Sequence, residues 1–334
     1  MQRLALLVTT LLLSTSLLAS QPKIPNSRDY TGPIVDVHVH VYPANGNGPA
    51  PNAICIGPAS NLQFDPVTPW PQRMVERMMD PPCENPIKGP ATDEEVRDQT
   101  IAALKRNNAR AVLSGFPDEV AEWMELAPEM FIPGRALNIV RDEGVTPEVL
   151  GKEYRGGGFK VLGEVSNQYA GILADDPQFE AYWDLAAELD FPVGIHTGIG
   201  PPGAPNGLAP SMELQSPRVL MPILKKHPSL RVYLMHAGYP FMDDLKAMLY
   251  FFPQLYVDTG VLQLAVPREE YYAYLEELVR AGYIDRIMFG SDQMNWPGLI
   301  EEGIRAINDA PFLSYDQKKD ILHDNAVRFF RLEE

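Results

Sequence analysis

Basic residues are scarce in this sequence: 28 Lys and Arg stand against 44 Asp and Glu in 334 residues, a formal net charge of -16. That balance excludes a nucleic-acid backbone or an anionic membrane surface as the main partner, since both would be repelled. Cysteine is scarcer, at two, and none follows the N-terminal apolar stretch, which excludes a lipidated anchor of the bacterial type. That stretch, Leu4 to Leu18, is short for a spanning helix and diluted by Thr9, Thr10, Ser14, Thr15 and Ser16. Preceded by Met1-Gln2-Arg3 and followed by Ala19 and Ser20, it reads as a secretory signal peptide over residues 1–20, with a single membrane anchor as the rival. The expected product is an exported, periplasmic or extracellular protein with no stable membrane anchor. In such a compartment Cys55 and Cys83 invite a disulfide, two unpaired loop thiols being the alternative.

Past residue 92 there is no internal repeat, low-complexity tract or domain linker. What is present is regular alternation. Apolar runs at Ile34–His40, Arg110–Ser114, Met130–Leu137, Gly158–Glu164, Pro192–His196, Leu230–His236, Gln254–Thr259 and Arg286–Ser291 each precede a helical pattern. Thr92 and Glu95 form a capping box ahead of one of these helices. Eight strand–helix units in unbroken alternation predict a parallel sheet closed into a (β/α)8 TIM barrel, one domain over residues 30–334. A doubly wound open sheet is the alternative, but it would place its ligand at a single switch point. Between the first strand and the first long helix, residues 42–92 are rich in proline, and a loop this long is expected to cover a site.

Chemistry-bearing residues cluster at the strand ends. In Ile34-Val35-Asp36-Val37-His38-Val39-His40, residues two apart point the same way, so His38 and His40 form a two-imidazole claw while Val35, Val37 and Val39 are expected to pack on the opposite face. Glu164 ends strand 4, His196 strand 5 and His236 strand 6, and Asp292 follows strand 8. These are C-terminal ends, where barrel active sites are built. Both His196 and His236 are followed within two residues by a glycine that lets backbone approach closely. A single such histidine would be read as a satisfied core residue; the repetition points to metal. The two remaining histidines, His227 at a helix end and His323 in the last helix, read as structural, His227 against the helix dipole.

The motifs DVHVH at 36–40, IHTG at 195–198, MHAG at 235–238, FGSD at 289–292 and the ending from Ile321 to Phe330 resemble the amidohydrolase superfamily. The resemblance is to its amidohydrolase-related branch, which includes the aminocarboxymuconate-semialdehyde decarboxylase group. It runs from about Ile34 to Leu332 and implies a divalent metal, usually zinc, held by His38, His40 and His196 with Asp292, while the residue matching His236 binds a second metal or contacts substrate. Val161-Leu162-Gly163-Glu164-Val165 also looks like the GEIG motif of TatD-like hydrolases, in which the glutamate bridges metals. One or two ions are therefore expected, zinc first, with manganese or iron open.

Imidazole and carboxylate ligands of this kind bring a bound water to a pKa of about 7, so hydroxide is available at neutral pH. The expected activity is hydrolysis of an amide, ester or lactone of a small molecule, with Asp292 handling the proton and His236 assisting. Decarboxylation on the same barrel, or a non-catalytic metal-binding barrel, are the alternatives. Gln168, Tyr169 and Trp296, in loops after strands 4 and 8, are expected to meet the substrate, or else to pack on the barrel wall. The Gly200-Pro201-Pro202-Gly203 turn is a further rim element. Homo-oligomerisation is left open.

Overall fold

The apolar runs form eight parallel strands in chain order around a barrel: β1 (Ile34–His40), β2 (Ala109–Ser114), β3 (Phe131–Leu137), β4 (Val161–Val165), β5 (Val193–His196), β6 (Val232–Met235), β7 (Leu255–Asp258) and β8 (Ile287–Met288). The computed structural model describes residues 28–57, 65, 67–140, 142, 144–198, 200–202 and 211–333. The leader expected over residues 1–20 lies outside the described residues, as does Gly203 of the rim turn. Among the described residues no helix is long and apolar enough to cross a membrane. The ring is closed from β8 back to β1 where Val37 N–H donates to Phe289 O at 2.9 Å and Asp292 N–H to His38 O at 2.8 Å.

Two details of the strands differ from the sequence reading. β1 does not alternate cleanly, because its register against β2 shifts between Asp36 and Val39. Asp36 turns its carboxylate onto the backbone, Oδ1 accepting from His38 N–H at 3.1 Å and Ser291 N–H at 2.9 Å. Val35 and Val37 therefore join the barrel interior with Val112, Ile132, Val161, Met235 and Met288, and only Val39 packs outward among the helices. β8 is also shorter than its apolar run. Phe289 N–H bonds to Ile321 O instead of a neighbouring strand, and Asp292 and Met294 take positive φ of 48°, so the chain leaves the sheet and turns across the mouth.

The core has two shells. Between sheet and helices lies the large apolar layer, in which buried aliphatic and aromatic side chains each contribute about 1.5–3 kcal/mol. Inside the barrel the interior set is capped at its N-terminal end by Ala326 and Phe329 from the last helix. That closing segment, which starts at Tyr315, is broken by a π-turn at Asp320–Asp324. Asn325 within it donates to Ile287 O at 2.7 Å, tying it to β8.

The proline-rich stretch is ordered where it is described. It carries a helix, Trp70–Met79, and a two-residue antiparallel ladder, Ala53–Ile54 with Ile87–Lys88. Cys55 and Cys83 are bonded, closing a loop with a separation of 28 residues. Ile54, Ile56, Met78 and Ile87 pack onto Leu264, Trp296 and Leu299 at the C-terminal end of the barrel. Polar contacts complete the docking. Buried Asn52 accepts from Trp296 Nε1 at 2.9 Å and from Asn295 Nδ2 at 3.1 Å, and Asn47 donates to Asn295 Oδ1 at 2.7 Å. The segment is thus anchored on the loop that carries Asp292.

A cross-link over this span removes unfolded-state entropy equivalent to about 3–4 kcal/mol. Thiol titration of the denatured, unreduced protein is expected to find no free sulfhydryl, and the Cys55→Ser/Cys83→Ser double variant to lose stability of that order in urea. Two titratable thiols per chain would refute the staple.

Candidate metal centre

Four imidazoles meet at the C-terminal mouth of the barrel. His38 and His40, on the top of β1, bring their Nε2 atoms within 3.0 Å of each other. His196 at the end of β5 and His236 just past β6 do the same, His196 Nδ1 lying 3.1 Å from His236 Nε2. Two carboxylates lie between the pairs. Asp292 Oδ1 is 3.2 Å from His40 Nε2 and 3.7 Å from His38 Nε2, and its Oδ2 is 3.9 Å from His236 Nδ1. Glu164 touches His196 Nδ1 with Oε1, which is also 4.0 Å from His236 Nε2, while Oε2 is 3.9 Å from His40 Nε2. The sequence-predicted ligands are therefore gathered at one place from five strands.

A seventh residue, Asp258 at the end of β7, was missed. It is fully buried, and its Oδ2 accepts a hydrogen bond from His38 Nδ1 at 3.0 Å. Oδ1 accepts from His236 N–H at 2.9 Å and Gly260 N–H at 2.8 Å. A signal existed: Asp258-Thr259-Gly260 repeats the polar-small-glycine pattern of His196-Thr197-Gly198 and His236-Ala237-Gly238 at an equivalent strand end. The glycines have a steric purpose. A Cβ at Gly260 would fall 2.5 Å from His38 Nδ1, and one at Gly290 would fall 2.8 Å from His38 Cβ. No larger side chain fits beside the His38–Asp258 pair.

These contacts assign the tautomers. Asp258 and the Gly260 carbonyl only accept, so His38 and His236 carry protons on Nδ1, the latter donating to Gly260 O at 3.0 Å. Both therefore direct Nε2 into the site, and backbone or carboxylate partners behind a histidine are what orients a metal ligand. His196 presents Nδ1 to the site. Its Nε2 lies 2.9 Å from Tyr169 Oη, a hydroxyl able to donate or accept and so to suit either tautomer. Gln293 fixes the backbone of His40 with both ends of its amide, accepting from His40 N at 2.9 Å and donating to His40 O at 2.7 Å.

The electrostatics follow from this crowding. Burial pulls the His38 imidazole down, but the Asp258 and Asp292 carboxylates outweigh it and push it up to about 10. Burial, then His196 and His38, bring His236 down to about 4. Burial alone would raise Glu164 and Asp292; His196 beside the first and His38 beside the second hold both well below the usual carboxylate range. Burial and the Glu164 charge keep the Tyr169 phenol protonated. Among the described residues no Lys or Arg pairs with Glu164, Asp258 or Asp292. Two buried carboxylates and the half-buried Glu164 facing converging ring nitrogens, with no cationic side chain but imidazole among the described residues, form a donor set that a divalent cation fits.

The remaining expectations divide. Tyr169 sits at the site through His196. Gln168 is buried beside it with both amide atoms lacking a partner. Gly200 lies against Tyr169, since a Cβ there would meet the ring at 2.8 Å. Trp296 departs from its expected place at the substrate: it is 1% exposed, packed on Leu264 and Leu299, and its N–H is bonded to Asn52. Its ring anchors the covering segment because the chain, turning at Asp292 and Met294, carries it away from the mouth. His323 bonds Asp324 at 2.7 Å in the closing segment, a structural place.

The amidohydrolase family model matches residues 35–332. The chain belongs to the amidohydrolase family. No curated protein matches it. Solved structures share its fold. An uncharacterised TIM-barrel protein from Bordetella bronchiseptica is similar at 16% identity and a TM-score of 0.59, over 90% of this chain and 99% of that one. A probable 2-pyrone-4,6-dicarboxylic acid hydrolase from Acinetobacter baumannii, with citric acid bound, is similar at 13% identity and 0.58, over 90% and 100%. A 5-carboxyvanillate decarboxylase from Novosphingobium aromaticivorans, complexed with manganese and 4-hydroxy-3-methoxy-5-nitrobenzoic acid, is similar at 17% identity and 0.56, over 92% and 99%. At these identities the likeness carries the barrel and no more.

In this amidohydrolase, Asp258→Asn is the informative change behind the site. Asn can still accept from the His236 and Gly260 amides, but its NH2 would face His38 Nδ1 and move the ring proton to Nε2. Divalent-metal affinity measured by chelator competition is expected to fall about 10- to 100-fold. Unchanged affinity would show that Asp258 does not set the His38 tautomer.

Proposed function

We propose that the protein is a metal-dependent hydrolase of a small carboxylic-acid derivative, an amide, ester or lactone, exported from the cytoplasm. The observation that carries the reading is the convergence of His38, His40, His196 and His236 with Glu164 and Asp292 at one end of the barrel, with His38 and His236 oriented from behind. His38, His40, His196 and Asp292 would hold the ion. Glu164, with an oxygen toward each imidazole pair, would bridge to a second. When bound, a zinc, manganese or iron ion supplies Lewis acidity toward a carbonyl and brings a water to a pKa of about 7.

The chain's own groups then divide the proton work. Asp292, ionised and aimed into the mouth, accepts the proton of the attacking water and passes it to the leaving group. His236 is neutral at neutral pH with Nε2 unprotonated, so it serves as a ligand or proton acceptor and cannot donate from that nitrogen to a developing oxyanion. Tyr169 and Gln168 border the substrate. That no Lys or Arg pairs with the site carboxylates among the described residues favours a neutral carbonyl substrate. The Cys55–Cys83 bond suits an oxidising compartment, in keeping with export.

Decarboxylation is the second reading, favoured by the fold likeness to a manganese-bound decarboxylase. The two are separated by assaying the metal-loaded protein on aromatic acids, amides, esters and lactones. The hydrolase reading expects released acid with an amine or alcohol, lost on chelation and restored by zinc or manganese. Carbon dioxide released together with the decarboxylated acid, and no cleavage of amides, esters or lactones, would replace it.

Asp292→Asn tests the proton transfer. The amide fills the same space and cannot take a proton, so turnover is expected to drop by about 10²- to 10⁴-fold in a folded variant that keeps most of its metal. Near-normal turnover would exclude the role.

A further inference from the structure

Outside the barrel, in the helical layer, a second imidazole meets two carboxylates. Glu180 and Asp184 lie one turn apart on the helix Glu180–Leu189 after β4, so both face the same way. His227 caps the C-terminal end of the helix Met221–Lys226 after β5. It is 8% exposed, and its Nε2 is buried with no hydrogen-bond partner. That nitrogen nevertheless lies 3.4 Å from Glu180 Oε1 and 3.7 Å from Asp184 Oδ1. One ligand atom from each residue lies within 4.8 Å of the other two.

A buried ring nitrogen facing two carboxylates is unfavourable as a bare lone pair and calls for either a proton on that nitrogen or a metal cation between them. Lys226 supplies a positive charge to Glu180 Oε1. It has no ion pair with Asp184 or His227 among the described residues, and at 56% exposed, on a flexible stem, it can swing into solvent. The helix-dipole role read for His227 from the sequence also favours positive charge at this point.

We propose that Glu180, Asp184 and His227 form a surface site for a divalent transition-metal ion of the zinc, nickel and copper class, independent of the site at the barrel mouth. One imidazole and two carboxylates suit such ions better than calcium or magnesium, which favour all-oxygen sets. Glu180 and Asp184 reach solvent, so water completes the coordination. The ion would clamp the helix after β4 to the helix after β5 and add stability by mass action when present.

Equilibrium dialysis against zinc chloride, with bound metal counted by elemental analysis, tests this on the intact protein, on His227→Gln and on Asp184→Asn. The unaltered protein is expected to hold one zinc ion more per chain than His227→Gln. Asp184→Asn should weaken that extra ion by about tenfold or more, because losing a ligand costs at least what losing a supporting contact does. Turnover at the barrel mouth should be the same in all three. Asp184 is 60% exposed, so its variant decides the matter even where His227→Gln fails to fold. Equal zinc content and affinity in the unaltered protein and in Asp184→Asn would overturn the proposal and leave a proton as the cation beside His227.

Discussion

Asp258 is the contact on which the mouth of the barrel depends. One fully buried carboxylate accepts hydrogen bonds from the His38 ring on β1, the His236 amide after β6 and the Gly260 amide beyond its own strand. Three strand ends are fixed by one side chain. Each bond goes to an ionised acceptor and is stronger than a neutral one, and the bonds together offset the cost of burying the charge. Gly260 and Gly290 follow from it as a steric consequence, since the pair leaves no room for a Cβ on either side.

Asp36 does for barrel closure what Asp258 does for the mouth. By accepting from His38 and Ser291 it holds β1 against the segment after β8, and it is also what breaks the register of β1. Burial pushes its carboxyl up to about 7, with its second oxygen lacking a partner. The arrangement places one of the least accommodating groups of the chain on the backbone amide of His38, at the base of the site. The covering segment adds a third constraint. Proline-rich and poor in ladder bonds, it is held by a disulfide, an apolar patch and Asn52, whose partners lie on the Asp292 loop. Site, closure and cover are thus coupled through the turn after β8.

Much of the barrel was legible because a strand buried on both faces needs a continuous apolar run and its crossover needs an amphipathic helix; eight repeats of that pattern leave few folds. The residues gathered at the mouth were legible because histidines and carboxylates that recur at the ends of several apolar strands are hard to explain as core residues, although any one of them could be. Asp258 carries the same signature, but as a lone aspartate before Thr-Gly it resembles an ordinary loop cap, and only its contacts set it apart. Trp296 failed in the other direction: an aromatic residue four positions past Asp292 looks poised for substrate until the turn at positive φ is known.

The sequence by itself determined the fold class, the strand order and the identity of six of the seven residues at the mouth, since these depend on side-chain type and spacing along one chain. Only the tertiary structure decided which ring nitrogens face inward, which carboxylate stands behind His38 and which valines of β1 enter the barrel. It also decided that the proline-rich segment docks on the β8 turn, and that His227 faces Glu180 and Asp184. The physical reason is common to all of these. Tautomer, register and docking are set by acceptors and surfaces supplied from distant segments, as Asp258 is to His38 and Asn52 to Trp296, and no local pattern encodes a partner more than two hundred residues away.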